Sequence, residues 1–177
     1  MKCPQYYDLW KGFFKEVCNI ELKTSLLDIT REQDVTIENN DYSGGRIDLL
    51  IQEGNNVIVI ENKIKSDINK SSIDKDYENQ LWRYKKFVDI KFQSHNKYLI
   101  ILAPGYNKFK AGDEWLKISY KQLYDYLKTK ESVFIGDANF VAFHNAMYRH
   151  THKNENDYLY YEMQDKFFRR IKDCKND

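Results

Sequence analysis

The fold turns on one stretch, Arg46-Ile47-Asp48-Leu49-Leu50-Ile51-Gln52-Glu53-Gly54-Asn55-Asn56-Val57-Ile58-Val59-Ile60-Glu61-Asn62-Lys63. Residues 46–51 and 57–60 are β-rich runs on either side of Gly54-Asn55, a dipeptide suited to a two-residue hairpin turn. Centred on that turn, 51 pairs with 58, 50 with 59 and 49 with 60, and Asp48 falls opposite Glu61. Directly paired residues hold their Cβ atoms roughly 4.5–5.5 Å apart. Side chains alternate along a strand, so Lys63 shares the face of Glu61 while Asn62 points away. Leu49, Leu50, Ile51, Val57, Ile58, Val59 and Ile60 are apolar on both faces, the mark of buried central strands. Carboxylates paired at the end of such strands repel each other and lose hydration unless a cation compensates.

Working outward, residues 5–17 carry Tyr6, Leu9, Trp10, Phe13 and Val17 at helical spacing. A weaker helical piece is expected over 21–29, and a strand over 34–38 from its polar–apolar alternation. Residues 39–45 are turn-rich. After the hairpin, a helix begins near Ser71 with Tyr77, Leu81, Tyr84 and Val88 on its buried stripe. Residues 97–102 form a further strand closed by Pro104-Gly105, and 114–118 a short one. Ser119 then caps a helix with Tyr120, Leu123, Tyr124 and Leu127 on one face, and Asp137 opens another. A last helix is expected over 156–172. This order implies an α/β fold, a mixed sheet of about four to five strands flanked by α-helices.

The composition is that of a globular chain: 177 residues, 42% hydrophobic and 31% charged. Two prolines and seven glycines leave little material for linkers, so residues 1–177 read as a single domain. Cys3, Cys18 and Cys174 are far apart and odd in number, which indicates neither a disulfide framework nor a zinc site. A cytoplasmic location is therefore expected. The N-terminus lacks a signal-peptide core, and no apolar run approaches the ~20 residues that span a bilayer, so no membrane partner is expected. The net charge of +1 gives no global attraction to nucleic acid, and any polyanion surface must come from local segregation of charge.

An Asp facing Glu-x-Lys suits phosphodiester hydrolysis. That reaction needs an activated water and a sink for charge on the pentavalent phosphate, which a divalent metal on carboxylates supplies. Magnesium keeps several waters, so one or two carboxylates suffice, and a lysine beside them offsets developing charge. The plainer alternative is a hairpin bearing ordinary surface charges.

Gly45-Arg46-Ile47-Asp48, Ile60-Glu61-Asn62-Lys63 and Gln80-Leu81-Trp82-Arg83-Tyr84 together resemble the PD-(D/E)XK nuclease superfamily, most closely bacterial proteins with R-I-D-I-L-I, I-E-N-K-I and Q-L-x-x-Y patterns. The resemblance implies a restriction-endonuclease-like fold and a Mg²⁺-dependent phosphodiesterase, with Mn²⁺ as a substitute. It implies Asp48 and Glu61 as metal ligands with the Asn62 carbonyl as a third, and Asp48, Glu61 and Lys63 as the catalytic core. Ile47 stands where the proline of the name would be. Gln80 and Tyr84, i and i+4 on one helix, are similar to the Q-x-x-x-Y of RecB-like exonucleases, which implies a hold on the substrate strand. The superfamily often adds an acid from the first helix, and Asp8, Glu16 and Glu21 are all candidates.

The function expected is cleavage of nucleic acid, DNA in a restriction, phage-defence or repair setting. The alternatives are a non-catalytic nucleic-acid-binding or interaction module on the same fold, or a nuclease subunit working as a homodimer or with a helicase or recognition partner. Lys65, Lys70, Lys85 and Lys86 lie near the proposed site and are candidates for phosphate contacts, ahead of the basic residues 166–175. His144, His150 and His152 read as packed or solvated side chains rather than metal ligands.

Overall fold

A computed structural model of the chain describes residues 4–23, 27–36, 44–63, 71–105 and 111–152, with only the backbone course of 71–79. Its helices are α1 (Pro4–Glu16), α2 (Ser71–Lys91), α3 (Tyr120–Lys128) and α4 (Ala138–Thr151), with a 3₁₀ turn at Glu131–Phe134. Its strands are β1 (Asp28–Asp34), β2 (Arg46–Glu53), β3 (Asn56–Asn62), β4 (Asn96–Ala103) and β5 (Trp115–Ser119). They form one sheet in the order β1-β2-β3-β4-β5. β2 runs antiparallel to both β1 and β3, and β4 and β5 follow parallel to β3.

The hairpin has the register that its turn dictates: Ile51 pairs with Ile58, Leu50 with Val59 and Leu49 with Ile60. Gly54 adopts a φ of 54°, which a glycine reaches without Cβ strain. β3 is buried from Asn56 to Glu61 because helices cover both faces of the sheet. On one face Ile51, Ile58, Ile60 and Ile100 pack with α1, α3 and α4. On the other, Leu50, Val57, Val59, Leu99 and Ile101 pack under Leu81, Tyr84, Phe87 and Val88 of α2. Each such aliphatic side chain stabilises the fold by about 1.5–3 kcal/mol when fully buried.

Two expectations are corrected at the sheet edge. Residues 21–23 form no regular structure, and Asp28 and Ile29 belong to β1 rather than to a helix. The strand expected over 34–38 has in fact ended at Asp34, and 37–38 lie outside the described residues. The cause is that β1, D-I-T-R-E-Q-D, is an edge strand held by pairing with β2 and carries no apolar period of its own. Downstream, β4, β5 and α3 fall where their patterns put them. The Ser119 hydroxyl accepts from the Gln122 N–H and the Gln122 side chain takes the Ser119 N–H, a reciprocal cap. Asp137 caps α4 through the Asn139 and Phe140 N–H groups. The helix expected over 156–172 lies outside the described residues.

Candidate active site

The site is built where β2 and β3 part. One step beyond Leu49–Ile60, a continued ladder would bond the Asn62 N–H to the Ile47 carbonyl; instead that N–H donates to Asp48 Oδ2 at 2.7 Å. The pleat also breaks here. Leu49 packs on the α1 side and Ile47 on the α2 side, although strict alternation would give them one side. In β1 the same reversal separates Ile29 from Val35. Both reversals meet at Glu32 and Asp48, the one rung missing between Arg31–Leu49 and Gln33–Ile47. Glu32 carries a φ of 52°, a left-handed conformation that costs a non-glycine residue of order 1–3 kcal/mol. Asp48 therefore lies at a kink, exposed at the mouth of a cavity of about 410 Å³ lined largely by apolar residues of α1 and the sheet.

Glu61 faces α2. Its side chain is only 3% exposed, and Lys63 Nζ lies 2.7 Å from Oε1. Lys63 also donates to Gln80 Oε1 at 3.2 Å, while Gln80 Nε2 reaches Glu61 Oε1 at 3.4 Å and the Tyr84 hydroxyl at 2.6 Å. That hydroxyl donates to the Arg46 carbonyl. Glu61 Oε2 is buried with no hydrogen-bond partner among the described residues. Burial pushes the Glu61 carboxyl above its usual range, a shift that the hydrogen bond and charge of Lys63 oppose without cancelling. The charge of Asp48 adds to the upward shift, so the two carboxylates do sense each other.

Glu61, Lys63, Gln80 and Tyr84 are thus one bonded cluster, and Asp48 approaches β3 from its other flank. Tyr84 is 0% exposed, its ring against Gly45 and its hydroxyl committed to Arg46 and Gln80. Gln80 is half-buried beside Lys63. Gly45 was quoted only as part of a motif, yet it has a structural task. Its φ is 107°, and a Cβ there would come within 3.1 Å of the Tyr84 ring. Tyr120 went unnoticed as a site residue because it sits on an ordinary apolar stripe, but its hydroxyl donates to Asn62 Oδ1.

The first-helix acids diverge. Glu16 pairs with Lys130 at 3.3 Å. Asp8 acts on the Tyr7 hydroxyl together with Glu53, at the turn end of the hairpin. Glu21 is exposed beyond the end of α1. Lys85 is engaged by Asp89 at 2.5 Å and Lys86 lies 4.8 Å over the Trp82 ring, while 65, 70 and the basic 166–175 run lie outside the described residues. His144 stacks on Tyr124 at 4.8 Å and His152 on Tyr148 at 4.2 Å, as packed rings do.

A model of the PD-(D/E)XK nuclease superfamily matches residues 5–149. The chain belongs to that superfamily. The match spans every described strand and ends within α4, so the mixed sheet and its flanking helices are the superfamily's fold. Among solved structures, the small subunit of the heterodimeric restriction endonuclease R.BspD6I is similar at 15% identity, over 93% of this chain and 81% of that one, with a TM-score of 0.30. No curated protein matches. Among the described residues no helix is long and apolar enough to cross a membrane.

Proposed function

We propose that this PD-(D/E)XK protein is a Mg²⁺-dependent phosphodiesterase that cleaves DNA, with Mn²⁺ able to replace Mg²⁺. The observation that carries the reading is Glu61 Oε2, a carboxylate oxygen buried without a partner among the described residues, beside the charge of Asp48. Leaving such an oxygen unpaired costs about 1–3 kcal/mol or more, and a hard cation with oxygen ligands would relieve it. Asp48 and Glu61 fit that role, with the carbonyl of Asn62, the residue after Glu61, as a further ligand. Among the described residues no group of three or more His, Cys, Asp or Glu side chains converges. Water and the substrate's phosphate would therefore supply the remaining ligands, as magnesium favours.

A bound divalent ion would supply Lewis acidity and lower the pKa of a coordinated water. The chain's own residues do the rest. Lys63, 21% exposed and fixed by Glu61 and Gln80, places an ammonium where it can hydrogen-bond the attacking water and offset charge on the phosphate oxygens. Gln80 steadies Lys63 and Glu61 through its amide, and Tyr84 holds Gln80 against β2. The test is incubation with plasmid, linear duplex and single-stranded DNA under Mg²⁺, Mn²⁺ or EDTA. Cleavage with either metal and none with EDTA supports the reading. Binding of DNA without cleavage under either metal would replace it with a binding module.

A further inference from the structure

We infer that Tyr120 is a positioning residue for this site: through Asn62 it fixes the main-chain N–H that holds the Asp48 carboxylate, and so tunes divalent-cation affinity. The inference rests on the metal-dependent reading above.

Tyr120 is the first residue of α3, directly after the reciprocal Ser119–Gln122 cap, so its backbone is held from the start of the helix. It is 1% exposed, and a buried phenol must place its hydroxyl on an acceptor. The acceptor is Asn62 Oδ1, reached from the face of the sheet opposite Glu61 and Lys63. Asn62 in turn gives its N–H to Asp48 Oδ2 at 2.7 Å. On the other flank, the Lys63 N–H donates to the Leu102 carbonyl at 2.9 Å, which anchors the same strand end to β4. The residue between Glu61 and Lys63 is thus held by side chain and main chain, although nothing in the Glu-x-Lys spacing requires an amide there. Removing the Tyr120 hydroxyl frees the Asn62 side chain and loosens the peptide on which Asp48 depends.

The test is Mn²⁺ binding, followed as the loss of the free-ion signal in electron paramagnetic resonance, together with thermal melting. Tyr120→Phe should weaken Mn²⁺ binding about three- to tenfold, the size of one net hydrogen bond. Asn62→Ala, at an exposed position that does not threaten the core, should weaken it by the same factor. The double variant should be no weaker than the worse single one, because both break one chain of contacts. Tyr126→Phe is the structural control: on the same helix, its buried hydroxyl bonds the Leu9 carbonyl at 2.6 Å. It should lower the melting temperature and leave Mn²⁺ affinity alone. Wild-type affinity in a folded Tyr120→Phe, or additive losses in the double variant, would overturn the inference while the metal reading stands. A wild-type protein that takes up no Mn²⁺ would overturn both.

Discussion

The two ends of the β2–β3 hairpin each bury a glutamate, and they treat it in opposite ways. At the turn, Glu53 is 2% exposed and accepts from Asn56 Nδ2 at 2.8 Å; Asn56 accepts in turn from Asn96 Nδ2 at 3.0 Å. At the open end, Glu61 is equally buried, but one oxygen has no partner among the described residues and desolvation raises the pKa of its carboxyl. The turn end ties Glu53, Asn56 and Asn96 into one chain of hydrogen bonds, with the Tyr7 hydroxyl beside Glu53 left without a partner among the described residues. The open end holds polar frustration, together with a left-handed Glu32 and strands that part at Asp48. At the open end the unpartnered atom is a carboxylate oxygen, the kind of group that a cation satisfies, and it lies where regular pairing stops.

The contrast should be widest in catalysis. Lys63→Ala, Asp48→Asn and Glu61→Gln should each reduce DNA cleavage by about 10²-fold or more with folding retained, the scale of removing one charge-stabilising group. Glu53→Gln should cut at the wild-type rate once folded. Circular dichroism beside a plasmid-nicking assay separates the two outcomes, and a Glu61→Gln protein that cuts normally would erase the distinction between the ends.

Stability should show the reverse order. Glu53→Ala strands the Asn56 amide in the core and should lower stability by about 1–3 kcal/mol, or several degrees in melting temperature. Glu61→Gln, without metal, should instead raise the melting temperature at neutral pH. The sign follows from linkage: the folded carboxyl lies above its ordinary 4.5, so its stabilising contribution is present below that value and lost as pH rises through the folded pKa. The advantage of Glu61→Gln should therefore shrink as pH falls toward 4.5. Melting curves across pH check this, and a variant that melts earlier than wild type at pH 7 would show that the Lys63 ion pair outweighs burial.

The smallest effects belong to the bonds that prop the open end. Tyr84→Phe removes a hydroxyl shared by Gln80 and the Arg46 carbonyl, and should cost about 0.5–1.5 kcal/mol of stability and up to about tenfold in cleavage rate. Gln80→Ala should slow cleavage with little change in melting. A Tyr84→Phe protein unchanged in both assays would remove Tyr84 from the account.

Much of the hairpin was legible because its turn sets its register and Leu49–Ile51 and Val57–Ile60 are apolar on both faces; counting from Gly54-Asn55 gives every pair up to Leu49–Ile60, but the Asp48–Glu61 pair expected next is not part of the ladder. Counting failed where the pleat breaks. Strict alternation has no way to announce that Ile47 and Leu49 face opposite sides, because a left-handed Glu32 on another strand accompanies that reversal. β1 was misread since a polar edge strand takes its identity from its neighbour. Tyr120 read only as a stripe residue because spacing reports which face a ring occupies and nothing about where its hydroxyl goes.

The central claim is that the unpaired oxygen of Glu61 awaits a divalent cation, and the direct measurement is the melting temperature of wild type, Glu61→Gln and Glu53→Gln with and without Mg²⁺. A ligand at tenfold excess over its Kd stabilises the native state by about 1.4 kcal/mol, roughly 3–6 °C in a chain of this size. Wild type and Glu53→Gln should show that rise at neutral pH, and Glu61→Gln should lose it. An equal rise in all three proteins, or none in wild type at tens of millimolar Mg²⁺, would contradict the account.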